Sequence, residues 1–94
     1  MNIYIGGKIT GDPDYYAKFQ KLADYYAGTG HAVLNPAELP EGMSELQYMS
    51  ICIQMIFAAD KCVFLPDWQE SGGARIEHAL ARYCHIPVQV VGEE

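Results

Sequence analysis

The sequence predicts an α/β protein: one small Rossmann-like (flavodoxin-like) domain of three layers, with about four parallel strands in the order β-α-β-α-β-α-β. Three observations predict it. Short β-rich runs alternate with stretches of helical period along the whole chain, the pattern of strands joined by crossover helices. The helical stretches are long enough to carry the chain back over a sheet, and such crossovers are right-handed and leave the strands parallel. The run Cys62-Val63-Phe64-Leu65 is apolar without alternation, as suits a strand covered on both faces. With 94 residues and no linker, repeat or low-complexity tract, residues 1–94 are expected to make a single domain.

Each element has its own signal. Asn2-Ile3-Tyr4-Ile5-Gly6 is short and β-rich, and predicts a first strand that leads through Gly6-Gly7 into a loop. Gly11-Asp12-Pro13 predicts a helix start, with Asp12 as N-cap and Pro13 at the first helical position. Phe19, Leu22, Ala23 and Tyr26 follow at i, i+3, i+4 and i+7 and mark the buried face, and Gly28-Thr29-Gly30 ends the helix. His31 to Leu34 is a second strand, closed by Asn35-Pro36. The loop from Asn35 to Met43 carries two prolines and a glycine. Ser44-Glu45-Leu46-Gln47 then matches a capping box that opens a second helix, with Met49, Cys52, Ile53 and Ile56 as its apolar stripe. The third strand spans Lys61 to Leu65. The third helix runs from about Gly72 to Tyr83 with Ile76, Ala79, Leu80 and Tyr83 inward, and Pro87 to Val91 is the last strand.

Composition narrows the function. Half the residues are hydrophobic, so a core is expected, but a chain this short buries a lower fraction of its surface than a longer one does, and self-association would help it. Twelve acids against six bases give a formal charge of −6 with no basic stripe, which disfavours polymeric nucleic acid while leaving local capture of a small phosphate open. Cys52, Cys62 and Cys84 cannot pair evenly and each lies in an apolar stretch, which suits reduced, buried thiols in a cytoplasm. No Cys-x-x-Cys or His-x-x-x-His spacing points to a metal. The N-terminus lacks a signal peptide's regions and no apolar run approaches the ~20 residues of a membrane span, so a soluble, cytoplasmic protein with no membrane partner is expected.

The run from Cys62 to Glu77 carries the chemistry. Ligands of open α/β sheets bind beyond the carboxyl ends of the strands. The first and third strands of such a sheet lie side by side, so the loops Gly6 to Gly11 and Pro66 to Gly73 should flank one crevice. A glycine-led helix start offers unpaired N–H groups and a positive dipole end to an anion. Ser71 fits as its N-cap, and the same geometry lets its hydroxyl and the following N–H groups take a phosphate. Glu77, in the opening turns, is placed to face the crevice, with Gly73, Ala74 and Ala81 leaving room above its carboxylate. An acid is also favoured there by ~0.3–1 kcal/mol with no chemistry at all. Arg75 suits a solvated surface cation, and His78 diverges from Glu77 on the helix, which argues against a Glu–His dyad. Gly6-Gly7 lets the backbone approach a ligand or simply turn. The pair does not make a Gly-x-Gly-x-x-Gly pattern, so no NAD and no other cofactor is implied. Trp68 lies in the loop over the crevice, either capping the core or stacking on a nucleobase.

Three segments together resemble the nucleoside 2-deoxyribosyltransferase superfamily, and within it a family of small phage and bacterial proteins. They are Ile3-Tyr4-Ile5-Gly6-Gly7-Lys8-Ile9-Thr10-Gly11, Asn35-Pro36-Ala37-Glu38, and Trp68 through Glu77 with Ala79-Leu80-Ala81. The resemblance covers nearly the full length. It implies that Gly73-Ala74-Arg75-Ile76-Glu77 places Glu77 as a nucleophile on C1′ of a deoxyribose, releasing the base from a covalent glycosyl-enzyme, as in a retaining glycosidase. It implies substrate contacts from Tyr4, Gly6, Gly7, Lys8, Trp68, Ser71, Gly73 and Arg75, and no metal. Six residues before the nucleophile the transferases carry Asp and the related 5′-monophosphate hydrolases carry Ser. Ser71 therefore points to the monophosphate branch. Lys8 replaces a proline common in the first loop and is a cation placed to meet a phosphate. Cys52 stands where both branches keep an Asp on the preceding helix.

The expected function is thus an N-glycosidase acting on a (deoxy)nucleoside 5′-monophosphate. The alternative is a module that holds the nucleotide without turning it over, for which Cys52 argues. A third possibility is a domain that only builds an assembly. Superfamily members complete their pockets with a neighbouring subunit, so a homodimer or larger homo-oligomer is expected. Tyr15, Tyr16, Tyr25 and Tyr26 offer aromatic surface for it.

Overall fold

The computed structural model describes residues 1–93. Its four strands are β1 (Asn2–Gly6), β2 (Ala32–Leu34), β3 (Lys61–Phe64) and β4 (Val88–Val90). They form one parallel sheet in the order β2-β1-β3-β4. Three helices, α1 (Tyr15–Gly28), α2 (Glu45–Phe57) and α3 (Gly72–Tyr83), cross between them. Side chains alternate across a strand, and the two faces of β1 and β3 consequently feed two cores. On one face Ile5 packs with Phe19, Ala23, Ala37 and Leu65 under α1. On the other Tyr4, Cys62 and Phe64 pack with Cys52, Ile56 and Ala81 under α2 and α3. This is the three-layer α/β arrangement expected from the sequence, and Cys62, Val63 and Phe64 are wholly buried, as a central strand requires.

The capping box of α2 is present on both sides: Ser44 Oγ accepts from the Gln47 N–H, and the Gln47 side chain accepts from the Ser44 N–H. The start of α1 differs from the expectation. Asp12 Oδ1 accepts from the Asp14 N–H at 2.9 Å and its carbonyl from the Tyr15 N–H at 3.3 Å. Asp12 and Pro13 therefore make a side-chain-closed turn before the helix, which begins at Tyr15. The loop after β2 is not irregular throughout, because Asn35 Oδ1 accepts from the Ala37 N–H and caps a 3-10 turn over Pro36–Glu38. A second such turn covers Trp68–Glu70.

The inward face of α3 is a correction. Ala74, Glu77 and Ala81 are buried, whereas Ile76 and Tyr83 stand 57% and 84% exposed and Ala79 is exposed too. The bulky residues Ile76 and Tyr83 share a helical spacing with Ala79, but Ala74, Glu77 and Ala81 share the same spacing two residues earlier. Small alanines let the helix settle closely over Tyr4 and Phe64, and a buried carboxylate needs a partner on that side. The third thiol is also a correction: Cys52 and Cys62 are buried, but Cys84, just past the end of α3, is exposed. There His85 takes a left-handed φ of 60° and the Ile86 N–H bonds the Ala81 carbonyl at 2.9 Å, which turns the chain into β4. No helix among the described residues is long and apolar enough to cross a membrane.

Candidate active site

The strand order puts β1 beside β3, with Tyr4 paired to Cys62 and Gly6 to Phe64. The loops leaving them meet. The Lys8 N–H donates to Asp67 Oδ1 at 3.2 Å, and Lys18 Nζ lies 2.7 Å from Asp12 Oδ2 and 3.5 Å from Asp67 Oδ2. Lys18 was not anticipated as part of this corner, since its position on α1 gave no hint that it ties the two loops.

Tyr4 is the single polar side chain in the apolar middle of β1, wholly buried, and its hydroxyl must find a partner. It donates to Glu77 Oε1 at 2.7 Å across the gap between β1 and α3. Glu77 is 8% exposed, and burial pushes its carboxyl up to about 7 although the Tyr4 hydrogen bond pulls it down. Tyr4 itself is raised well above the usual phenol range, by burial first and then by the Glu77 charge. The Cys52 thiol stands at the same hydroxyl; burial and the Glu77 charge push it up to about 11. Cys62 is pushed up to about 12 for the same two reasons. A desolvated carboxylate held by one hydrogen bond leaves its second oxygen free to act on a ligand. Its position near 7 allows it to ionise in neutral water.

The structure brings Tyr4, Glu77 and Cys52 together; a lone tyrosine in an aliphatic strand signals that its hydroxyl needs a partner, but not which residue supplies it. Ser71 caps α3 as expected, its Oγ accepting from the Ala74 N–H at 3.2 Å. Gly73 lies where a Cβ would come within 3.4 Å of Met49 Cε. Gly6 and Gly7 are both buried; a Cβ on Gly6 would stand 2.4 Å from the Phe64 ring, and one on Gly7 3.0 Å from Leu65. The protein's own side chains therefore demand glycine here. Trp68 is half-buried against the core, and one face of its indole is covered by His78, with ring centres 3.9 Å apart and planes within 6°. His78 packs edge-on to Phe64, and burial pushes its imidazole below the usual range. This stack was missed, because His78 was weighed only as a partner for Glu77. Lys8 Nζ sits 3.8 Å from Glu70 Oε1, and Arg75 is exposed. No cluster of three or more potential metal ligands occurs among the described residues.

Residues 1–90 match a protein family described as "Domain of unknown function (DUF4406)". The chain belongs to that family. No curated protein sequence matches this DUF4406 chain. Among solved structures it is similar to the 2-deoxyribosyltransferase of Leishmania mexicana, with a TM-score of 0.76 at 19% identity over 95% of this chain and 62% of that one. It is also similar to the 2-deoxyribosyltransferase of the psychrotolerant bacterium Bacillus psychrosaccharolyticus, with a TM-score of 0.70 at 17% identity over 100% of this chain and 76% of that one. The DUF4406 chain thus has the nucleoside 2-deoxyribosyltransferase-like fold, and it spans less than two thirds of the length of the Leishmania mexicana protein.

Proposed function

We propose that this protein cleaves the N-glycosidic bond of a deoxynucleoside 5′-monophosphate, with Glu77 as the nucleophile. The observation that carries the reading is the buried Glu77 carboxylate, fixed by the Tyr4 hydroxyl at 2.7 Å beneath the β1 and β3 loops. With Oε1 held by Tyr4, Oε2 attacks C1′ as the bond from C1′ to the base nitrogen breaks; the electron pair goes to the base, which takes a proton from solvent and leaves, and the sugar stays as a glycosyl ester. Water then attacks C1′, returning the carboxylate and releasing the sugar phosphate; a second base in place of water makes the reaction a transfer. Ser71 and the N–H groups of Gly72 and Gly73 face the phosphate, Lys8 and Arg75 add charge, and Trp68 meets the base with its face away from His78.

Incubation with ribo- and deoxynucleosides and their 5′-monophosphates, followed by chromatography, tests this directly. Base freed by the wild type, from a monophosphate and not by Glu77→Ala, is the expected result; no base from any of them at high protein concentration sinks it.

One observation favours a second reading, a module that binds the nucleotide without cutting. Among the described residues the titratable side chains at Glu77 are Tyr4, Cys52 and Cys62, all pushed high, with no second carboxyl beside them to protonate a leaving base. A nucleotide that raises the melting temperature of both wild type and Glu77→Gln, with no base released, decides for it.

The pH dependence follows from Glu77. The nucleophile must be ionised, so kcat/KM is expected to rise with pH and level off above about 7. Tyr4→Phe removes the hydrogen bond that draws the carboxyl down, so its midpoint should move to higher pH and its plateau fall roughly tenfold to a hundredfold. An unmoved midpoint in Tyr4→Phe means that a group other than Glu77 sets the limb.

A further inference from the structure

Trp68 is the one tryptophan of the chain, and it stands on a short turn that does not by itself fix its ring. Backbone bonds close the turn. The Trp68 N–H donates to the Leu65 carbonyl at 3.1 Å, the Glu70 N–H to that of Asp67 at 2.9 Å and the Ser71 N–H to that of Trp68 at 3.2 Å. The Asp67 side chain does not cap it, because its carboxylate is taken up by the Lys8 N–H and Lys18. Such bonds place the backbone of Trp68 and leave the indole its own side-chain torsions.

Two other rings hold the indole. Phe64, wholly buried at the end of β3, meets it at a tilt, with centres 6.1 Å apart. His78 lies flat against one face, with centres 3.9 Å apart and planes within 6°, and stands edge-on to Phe64 at 5.2 Å. Burial and then the Arg82 charge push the imidazole below its ordinary range, against an opposing pull from Glu93, so at neutral pH the ring is uncharged. A flat, neutral ring covers one face of the indole and leaves the other as a plane on which a second flat ring stacks. His78 also follows Glu77 directly on α3. Successive residues on a helix diverge by about 100°, so one side chain turns to Tyr4 and the next to Trp68. One helix therefore carries both the carboxylate and the plate behind the indole, and fixes their separation.

We infer that His78 is a positioning residue for the nucleobase: by fixing the plane of Trp68 it sets where the base of a bound nucleotide lies relative to Glu77. The inference rests on the nucleotide reading above and adds to it a residue that itself touches neither base nor sugar nor phosphate. Without the imidazole the indole swings, and a base must order it on binding rather than meet a plane already in place. A sugar phosphate that lacks a base makes no use of Trp68 and is indifferent to His78.

The test is binding of two kinds of probe to the full chain carrying Glu77→Gln, in which no nucleophile is left to cut them. The probes are the deoxynucleoside 5′-monophosphates and 1,2-dideoxyribose 5-phosphate, the same sugar phosphate with hydrogen in place of the base. A base on the open face should quench the fluorescence of the single indole; the baseless probe, followed by calorimetry, should leave that fluorescence unchanged. Adding His78→Ala should weaken the tightest-binding nucleotide at least about tenfold and change the baseless probe by less than twofold. His78→Phe returns a flat ring and should recover most of the affinity, whereas His78→Leu fills the space without one and should not. With Glu77 in place, His78→Ala should raise KM more than it lowers kcat and leave the midpoint of the pH profile unmoved. Equal weakening of both probes makes His78 a purely structural residue and overturns the inference. So does an alanine variant that binds nucleotide as tightly as its parent, or a phenylalanine variant no better than leucine; the nucleotide reading survives all three results. If His78→Ala fails to fold by circular dichroism, or the baseless probe binds too weakly to measure, the contrast between Phe and Leu decides. No binding of any nucleotide removes the nucleotide reading, and this inference with it.

Discussion

Glu77→Gln is expected to lose activity and gain stability at once. The amide cannot attack C1′, so base release should fall by at least about four orders of magnitude, the usual effect of removing a covalent nucleophile. Stability should move the other way. In the folded chain burial raises the Glu77 carboxyl from an ordinary 4.5 to about 7. Between those values the folded state holds a proton that the unfolded state has released. Stability from this group is therefore full below about 4.5, falls as pH rises, and is lost once pH passes about 7. The penalty above pH 7 is on the order of 3 kcal/mol, and Gln, nearly the same shape and able to accept from Tyr4, does not carry it. At pH 8 the variant should melt roughly 10 °C or more above wild type; at pH 4 the two should converge. Equal melting temperatures at both pH values would falsify the claim that the carboxylate is held against its own desolvation. A buried acid whose removal stabilises the fold is one retained for a purpose other than folding.

Much of this was legible in the sequence because it rests on short-range rules. The alternation of strand-like and helical segments, the capping box at Ser44 and the Ser71 cap each depend on a few neighbouring residues, and each stands in the structure where those residues put it. The misreadings share a cause. Asp12-Pro13 carries a good helix-start signal, but the Asp12 carboxylate closes a turn first, and a side chain that caps a helix can equally cap a turn. On α3 the bulky residues Ile76 and Tyr83 outweigh the alanines in any sequence pattern, yet close packing against a sheet favours small residues. The helix is turned by what Glu77 finds across the gap, the Tyr4 hydroxyl, seventy-three residues away in sequence. No local pattern encodes that distance. The stack of His78 on Trp68 is of the same kind: it is made by the 3-10 turn over Trp68–Glu70 folding back on the helix that follows.

Gly6→Ala is expected to destabilise the protein by about 3 kcal/mol, the upper part of the range for overpacking a core, and to lower its melting temperature by roughly 10 °C or more. The added methyl would stand 2.4 Å from Phe64 Cε1 and 2.5 Å from Cδ1, inside any real contact distance. The ring has nowhere to go. It is wholly buried, and His78 lies against it with ring centres 5.2 Å apart, with the Trp68 ring centre 6.1 Å away. Any shift of Phe64 is therefore passed to the loop that carries Trp68, and nucleotide binding should weaken along with the fold. Gly72→Ala supplies the control, because a Cβ there meets nothing within 4 Å, and its melting temperature should stay within a few degrees of wild type. The comparison separates two reasons for a glycine at the end of β1. If Gly6→Ala melts with wild type but no longer binds nucleotide, the missing side chain makes room for a ligand. If it melts far below wild type, the missing side chain makes room for Phe64, and the glycine serves the site only by letting β3 lie close enough for its loop to reach over Glu77.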